Sequence, residues 1–251
     1  MNERTQVLSY GGGVQTVAMV ALVLKGVLPR PDYIVIADTS REKQSTWDYL
    51  DEIVQPAVAI QGMQVKIASH DLATVDLYAH NGDLLLPVFT ADGGKLPTFC
   101  SNEWKQRPIK RWLRNQDVQQ CDVWIGFSID EKSRRDRAAN DNGWYQRTFP
   151  LYDLHLTRAD CMTIIKDFGW PEPPSSACWM CPNMNDSEWH EMKRDYPADF
   201  KKAITLEMET QEWDGDLYLH RSLQPLAEVE FDPNGHSRKE SRYQCSFGCM
   251  L

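Results

Sequence analysis

The sequence lacks the segments that would direct it into a membrane or a secretory route. Its most apolar run, residues 17–28, is broken by Lys25 and Gly26 and is too short to span a bilayer. The first residues, from Met1 to Thr5, lack the apolar region of a signal peptide. We therefore expect a cytoplasmic protein with no membrane partner.

Several common catalytic patterns are also absent. The chain contains neither the G-x-x-x-x-G-K-[ST] loop of Walker NTPases nor the G-x-G-x-x-G fingerprint of dinucleotide-binding domains. Its histidines show no H-E-x-x-H spacing, and no serine lies in a G-x-S-x-G elbow. These absences leave little support for a zinc protease or an α/β-hydrolase.

The chain also lacks an overall positive charge. Its 251 residues carry a formal net charge of −9, which argues against non-specific electrostatic binding of nucleic acid by the protein as a whole. Residues 100–150 are the exception, with ten Lys and Arg against seven Asp and Glu, so a local basic patch is expected there. The composition, 42% hydrophobic and 25% charged, is otherwise that of a globular protein.

Hydrophobic patterning predicts alternating strands and helices. Such alternation favours an α/β fold with a mostly parallel, doubly wound sheet, here followed by a cysteine-bearing, α-rich C-terminal extension. We expect a nucleotide-binding domain at 1–150 and a C-terminal region at 151–251 packed on the same site. Residues 70–99 are expected to form a long loop, and residues 130–147 a charged functional loop. The predicted strands are 5–9, 33–37, 63–68 and 122–127, and the predicted helices are 14–25, 46–60, 108–115, 157–168 and 187–213, the last interrupted near Pro197.

A glycine-rich turn, SYGGGVQT from Ser9 to Thr16, joins the first strand to the first helix. Glycines bring several N–H groups close to an anion, and the helix N-terminus adds partial positive charge. The turn is therefore either a phosphate cradle or an ordinary strand-to-helix connection. Asp38 and Thr39 end the next strand, where an acidic residue can bind a nucleotide's ribose or amino group. Together the two features favour nucleotide binding.

Four segments, in the right order, resemble the PP-loop (N-type) ATP pyrophosphatases, specifically the phosphoadenosine phosphosulfate (PAPS) reductase-like branch. They are SYGGGVQT, VIADT followed by STW, CSNEWKQRPI from Cys100, and GFSIDEKSRR from Gly126. Ser128 departs from the family pattern, which has arginine there. The resemblance implies an adenine nucleotide alpha hydrolase-like fold that binds ATP or an adenylyl sulfate (APS or PAPS), with Mg²⁺ as a candidate ion. It implies nucleotide- and phosphate-binding roles for Ser9, Gly11, Gly12, Gly13, Gln15, Thr16, Asp38 and Thr39, and catalytic roles for Lys105 and Arg135.

Seven cysteines, an odd number, indicate thiols, metal ligands or redox groups rather than a disulfide framework. Cys178 and Cys181 form a C-x-x-C pair, and Cys245 and Cys249 form a second close pair. Spacing alone leaves an iron–sulfur cluster, a zinc ion and free thiols open. Cys121 and Cys161 fit buried apolar positions. The resemblance implies a [4Fe–4S] cluster. The cluster ligands would be Cys100, Cys178, Cys181 and Cys249, with Cys245 as an alternative ligand or a nucleophile.

The resemblance implies an iron–sulfur sulfurtransferase that uses ATP to adenylate a nucleic-acid or nucleobase acceptor, with a sulfur-donor protein as partner. The alternative is a PAPS or APS reductase that releases sulfite with a thioredoxin-like partner, although the tail lacks the reductases' Glu-Cys-Gly-Leu-His motif. A third interpretation is a zinc-stapled nucleotide-binding adaptor without catalytic activity.

Overall fold

Five parallel strands form the central sheet of the computed structural model, which describes residues 4–69, 76–138 and 143–235. The strand order is β3-β2-β1-β5-β6, so the chain builds outward in one direction from β1 and then returns to build in the other. A separate antiparallel pair joins β4 to β7. The strands are β1 Thr5–Ser9, β2 Tyr33–Asp38, β3 Val65–Ser69, β4 Phe89–Thr90, β5 Cys121–Trp124, β6 Tyr145–Thr148 and β7 Leu217–Tyr218.

Helices connect the strands and make up most of the C-terminal part. Two stretches are wider π-helical turns, Leu50–Val54 and Asn102–Gln106. Each ends shortly before a proline, Pro56 or Pro108, whose missing N–H and bulky ring disturb the preceding turn. The α-helices are α1 Val14–Leu24, α2 Gln44–Tyr49, α3 Gln55–Ile60, α4 Arg107–Asn115, α5 Lys132–Ala138, α6 Pro150–Asp153, α7 Arg158–Asp167, α8 Asp186–Asp195 and α9 Pro197–Trp213.

Alternate residues of the strands are buried on opposite faces of the sheet. Leu8 and Ile34 pack in one cluster with α1, α3 and α7. Val7 and Val123 pack in another with Ile109 of α4. Because both faces are covered by helices, the predicted doubly wound α/β fold is confirmed.

The C-terminal extension has its own apolar cluster. Residues 84–104 share it with residues 177–231, and its large members include Trp189, Phe200 and Phe231. The partly buried sulfurs of Cys100, Cys178 and Cys181 pack against this cluster. The predicted cysteine-bearing, α-rich extension is therefore present, while the division of the chain at residue 150 stays a prediction.

Two predicted loops contain regular structure instead. The segment 130–147 was expected to be a charged loop, but it carries α5 and edge strand β6. No residue of α5 is buried, and β6 (YQRT) is mostly polar, so neither shows the apolar periodicity that identifies an element. The predicted loop at 70–99 contains β4.

No helix in the described part of the chain combines the length and apolar composition that a bilayer crossing needs.

Candidate nucleotide and thiol site

The reversal of strand order between β1 and β5 opens a cleft at the carboxyl ends of the strands. The connections after these neighbouring strands leave in opposite directions, which is where parallel sheets bind ligands. The glycine-rich turn follows β1, and Gly126 follows β5. The cleft between them is lined by Ser9, Gly11, Gly13, Gln15, Thr16, Ile125, Gly126 and Ser176.

The glycine turn depends on the absence of side chains. Gly12 has φ +73°, and a Cβ there would lie 2.5 Å from Cγ2 of Thr46. Gly13 is the extended N-cap of α1, and no side chain caps the first turn of that helix. The Thr16 hydroxyl is used within the turn, where it accepts from Gly11 N at 3.3 Å and donates to Gly13 O at 3.0 Å. The turn therefore presents its backbone, rather than side chains, to the cleft.

Two hydroxyls beside the turn are buried without a partner among the described residues. They are Ser9 Oγ, on the cleft wall, and Thr46 Oγ1, beneath Gly12. Buried hydroxyls in folded proteins almost always have a hydrogen-bond partner. An anionic ligand in the cleft would supply acceptors for the Ser9 hydroxyl and for the backbone N–H groups of the turn.

Gln15 is committed to a side-chain network at one edge of the cleft. Its Nε2 donates to Glu131 Oε2 at 3.1 Å, and its Oε1 accepts from Arg158 Nη1 at 3.0 Å. Gly126 approaches it so closely that an added Cβ would lie 3.2 Å from Gln15 Cβ. Sequence analysis selected Gln15 but missed Arg158, which lies in no recognised segment.

The end of β2 turns sharply toward the interior. Asp38 is half-buried, and its Oδ1 accepts from Ser40 N at 2.7 Å. Thr39 is fully buried, accepts from Arg41 N at 3.1 Å and donates to Glu42 Oε1 at 3.3 Å. Asp38 thus lies at the carboxyl end of β2, and the hydrogen bonds of the Thr39 hydroxyl stabilise the turn that follows.

Lys105 forms a buried ion pair with Glu42, a residue that the sequence analysis missed. Lys105 Nζ lies 3.1 Å from Glu42 Oε1, and the two residues are 7% and 8% exposed. Burial lowers the pKa of Lys105, but Glu42 and the nearby Cys178 sulfur outweigh burial and raise it above its ordinary value. Lys105 therefore carries its positive charge. The second carboxylate oxygen, Glu42 Oε2, is buried with no partner among the described residues.

Cys100, Cys178 and Cys181 lie around this ion pair. Cys178 pairs with Glu42 in an isolated β-bridge, and Trp179 N donates to Arg41 O at 3.0 Å. Burial, together with the neighbouring Cys181, raises the pKa of Cys100 to about 12, while Lys105 opposes the rise. The structure therefore brings together the three predicted ligands that it describes.

These three thiols do not by themselves complete a metal site. Within residues 4–69, 76–138 and 143–235, no three His, Cys, Asp or Glu side chains are arranged to hold a metal ion. The other predicted ligand, Cys249, and its alternative, Cys245, lie outside the described residues. Cys121 and Cys161 are fully buried, which confirms the prediction that they belong to the core.

Arg135 stands apart from the glycine turn. Its Nη1 pairs with Asp136 Oδ1 at 2.9 Å, and its guanidinium lies 4.7 Å from the centre of the Tyr152 ring and 5.9 Å from that of Phe149. None of these contacts is with a residue that lines the cleft.

Ser176 connects the cleft to the thiols. It is buried and lines the cleft together with the glycine turn, and Cys178 follows it by only two residues. Two residues of extended chain span roughly 7 Å, so the thiol segment begins at the edge of the cleft. The glycine turn and the thiol segment therefore lie close to each other in the structure.

Comparison with known proteins gave matches among solved structures alone. No known protein family matches the chain, and no curated protein sequence matches it. The chain is similar to a phosphoadenylyl-sulfate (PAPS) reductase from Candida auris in its phosphate complex, with 14% identity, a TM-score of 0.47 and coverage of 71% of this chain and 83% of that chain. It is also similar to the U34-tRNA thiolase NcsA from Methanococcus maripaludis with its [4Fe-4S] cluster, with 12% identity, a TM-score of 0.45 and coverage of 91% and 74%.

Proposed function

We propose that this protein is a sulfur-transfer enzyme that activates its acceptor with ATP. ATP would bind in the cleft, and an oxygen of a nucleic-acid or nucleobase acceptor would be adenylated. Sulfur would then replace that oxygen in the acceptor, close to the thiols. The observation that carries the proposal is the position of Ser176, which lines the phosphate cleft two residues before Cys178. A nucleotide-activated group in the cleft would therefore lie close to the thiol-bearing segment.

The nucleotide half of the proposal rests on the glycine turn. The backbone N–H groups of the turn and the start of α1 would bind the phosphates, and Ser9 would donate its hydroxyl, which has no partner among the described residues. Asp38, at the carboxyl end of β2, would bind the ribose or base. A Mg²⁺ ion would accompany the phosphates, since it is usually bound through phosphate oxygens and few protein groups.

The chemical steps balance with one nucleotide and one sulfur donor. The acceptor oxygen would attack the α-phosphorus, and pyrophosphate would leave. A sulfide, supplied by a donor protein, would then attack the activated carbon, and AMP would leave with the original oxygen. Lys105 would lower the cost of forming a thiolate beside it, because its positive charge is close to Cys178 and Cys100.

The finer proposal is that Cys100, Cys178 and Cys181 hold a [4Fe–4S] cluster, or a zinc ion, with Cys249 or Cys245 as the fourth ligand. Soft thiolate ligands favour iron–sulfur clusters and zinc over Mg²⁺. The fourth ligand lies outside the described residues.

Anaerobic purification followed by three assays tests the proposal. We expect ATP binding, ATP–pyrophosphate exchange once an acceptor is present, and bound iron or zinc. Cys178→Ala and Cys181→Ala should keep ATP binding while losing metal and sulfur transfer. The matched control is Cys161→Ala, which removes a fully buried core thiol and should retain metal.

Other outcomes identify the alternatives. Sulfite release from adenylyl sulfates with thioredoxin would favour the reductase. Nucleotide and zinc binding without any exchange would favour the adaptor. Absence of ATP binding by the unaltered protein would refute the nucleotide half of the proposal.

A further inference from the structure

The beginning of α7 is held firmly beside the glycine turn. Ile129 N donates to Leu156 O at 3.0 Å, and Arg158 N donates to Asp130 Oδ2 at 2.7 Å. A capping box between Thr157 and Asp160 fixes the first turn of the helix, and α7 packs along α1. The backbone of Arg158 therefore has a defined position relative to the cleft.

The side chain of Arg158 reaches the cleft wall. Its Nη1 donates to Oε1 of Gln15, a wall residue that is only 3% exposed, at 3.0 Å. A guanidinium has five N–H donors. In the described part of the chain, this side chain makes no other hydrogen bond and no ion pair, and Arg158 is exposed. Most of its donors are thus available to a ligand.

Two other cations of the site and its neighbouring segments are already paired with carboxylates. Lys105 is paired with Glu42, and Arg134 is paired with Glu131. Arg158 differs because its guanidinium binds the neutral Gln15 and forms no ion pair with a carboxylate among the described residues. Its charge and forked donors suit phosphate oxygens.

We propose that Arg158 binds the outer part of the nucleotide's phosphate chain and makes the site selective for ATP over AMP. This inference rests on the nucleotide half of the proposed function. The glycine turn and the start of α1 would hold the phosphate that lies deepest in the cleft, whereas Arg158 stands beyond Gln15 at the exposed edge. A chain that extends out of the cleft meets Arg158, and a monophosphate does not.

Isothermal titration with AMP, ADP and ATP tests this assignment. We expect Arg158→Ala to weaken ATP binding at least tenfold and AMP binding less than threefold, with ADP between them. Arg158→Lys keeps the charge but loses the fork, so its loss of ATP affinity should be smaller. The matched control is Arg111→Ala. It removes an exposed arginine from the middle of α4, at a position that does not line the cleft.

Each result has one meaning. If the unaltered protein binds ATP and Arg158→Ala binds it equally well, or weakens all three nucleotides equally, the role of Arg158 is refuted while the proposed function stands. If the unaltered protein binds no nucleotide, the proposed function fails as well. Adenylyl sulfate serves as a fourth ligand, and a loss confined to it would assign Arg158 to sulfate and overturn the assignment to the phosphate chain.

Discussion

Glu42 Oε1 lies 3.1 Å from Lys105 Nζ, in a buried ion pair that joins the end of β2 to the π-helical turn before α4. The same glutamate pairs through its backbone with Cys178. Glu42, in the segment after β2, is thus connected with two of the thiol-bearing segments. Its integrity should matter both for folding and for the placement of the thiols.

Removing either partner of this pair should destabilise the protein strongly. Glu42→Gln leaves a buried ammonium without its counter-charge, and Lys105→Met leaves a buried carboxylate, so each should cost about 3–5 kcal/mol. The double variant should recover part of that loss, since neither charge is left alone. Denaturant unfolding of the four proteins gives the coupling energy. Single variants that each cost less than about 1 kcal/mol would show that the pair is not buried as described.

Sequence patterns predicted the elements whose burial is repetitive. The apolar run at β2 and the apolar helix α1 follow from local periodicity, and the glycine turn follows from its letters. Polar edge strand β6 and exposed helix α5 carry no such signal, so they were missed. Local sequence patterns therefore predict the buried central elements of the fold better than its exposed edge strand and helix.

The candidate site was predictable only in part, because its partners come from distant segments. Lys105 belongs to a recognisable motif, but Glu42, its counter-charge, belongs to none. Arg158 and Gln15 are 143 residues apart and meet only because α7 packs on α1. No short motif encodes such a pairing; it follows from the topology of the sheet.

The glycines of the turn should separate folding from binding. Gly12→Ala combines φ +73° with a contact of 2.5 Å to Thr46, so we expect a loss of stability of roughly 1–3 kcal/mol. Gly13 has φ −97°, which any residue adopts, so Gly13→Val should fold but place a side chain where phosphates approach. Thermal unfolding and ATP titration measure the two effects. A folded Gly13→Val variant with unchanged ATP affinity would contradict the cradle assignment.

Glu207 should anchor helix α9 to the segment that follows it. Its two carboxylate oxygens accept from the backbone N–H groups of Leu219 and Leu226, and it is buried. Glu207→Gln turns one acceptor into a donor and leaves one buried N–H unpaired, at a cost of about 1–3 kcal/mol. Denaturant unfolding measures this loss. Glu209→Gln, on an exposed position of the same helix, should change stability by less than about 0.5 kcal/mol; equal effects at both positions would rule out the anchor.

His220 should make the stability of the C-terminal extension depend on pH. The ring is buried, with Nδ1 2.8 Å from Ser222 Oγ and Nε2 3.3 Å from Asp186 Oδ1. Burial lowers its pKa, Asp186 opposes this change, and Arg221 adds to the lowering. The folded protein therefore holds a neutral ring under conditions in which the unfolded chain, with a histidine pKa of about 6.5, already binds a proton. Stability should consequently fall as pH drops below about 6.5 toward the folded pKa.

The matching experiment compares denaturant unfolding of the unaltered protein, His220→Gln and His80→Gln between pH 5 and pH 7.5. His220→Gln should flatten the decline below about pH 6.5, whereas His80→Gln, which removes an exposed histidine, should keep it. Two other groups do not confuse the comparison. The lowered pKa of Asp186 acts at more acidic pH, and the raised pKa of Glu207, which favours the folded state toward low pH, is present in all three proteins. An unchanged decline in His220→Gln would show that another group titrates in this window.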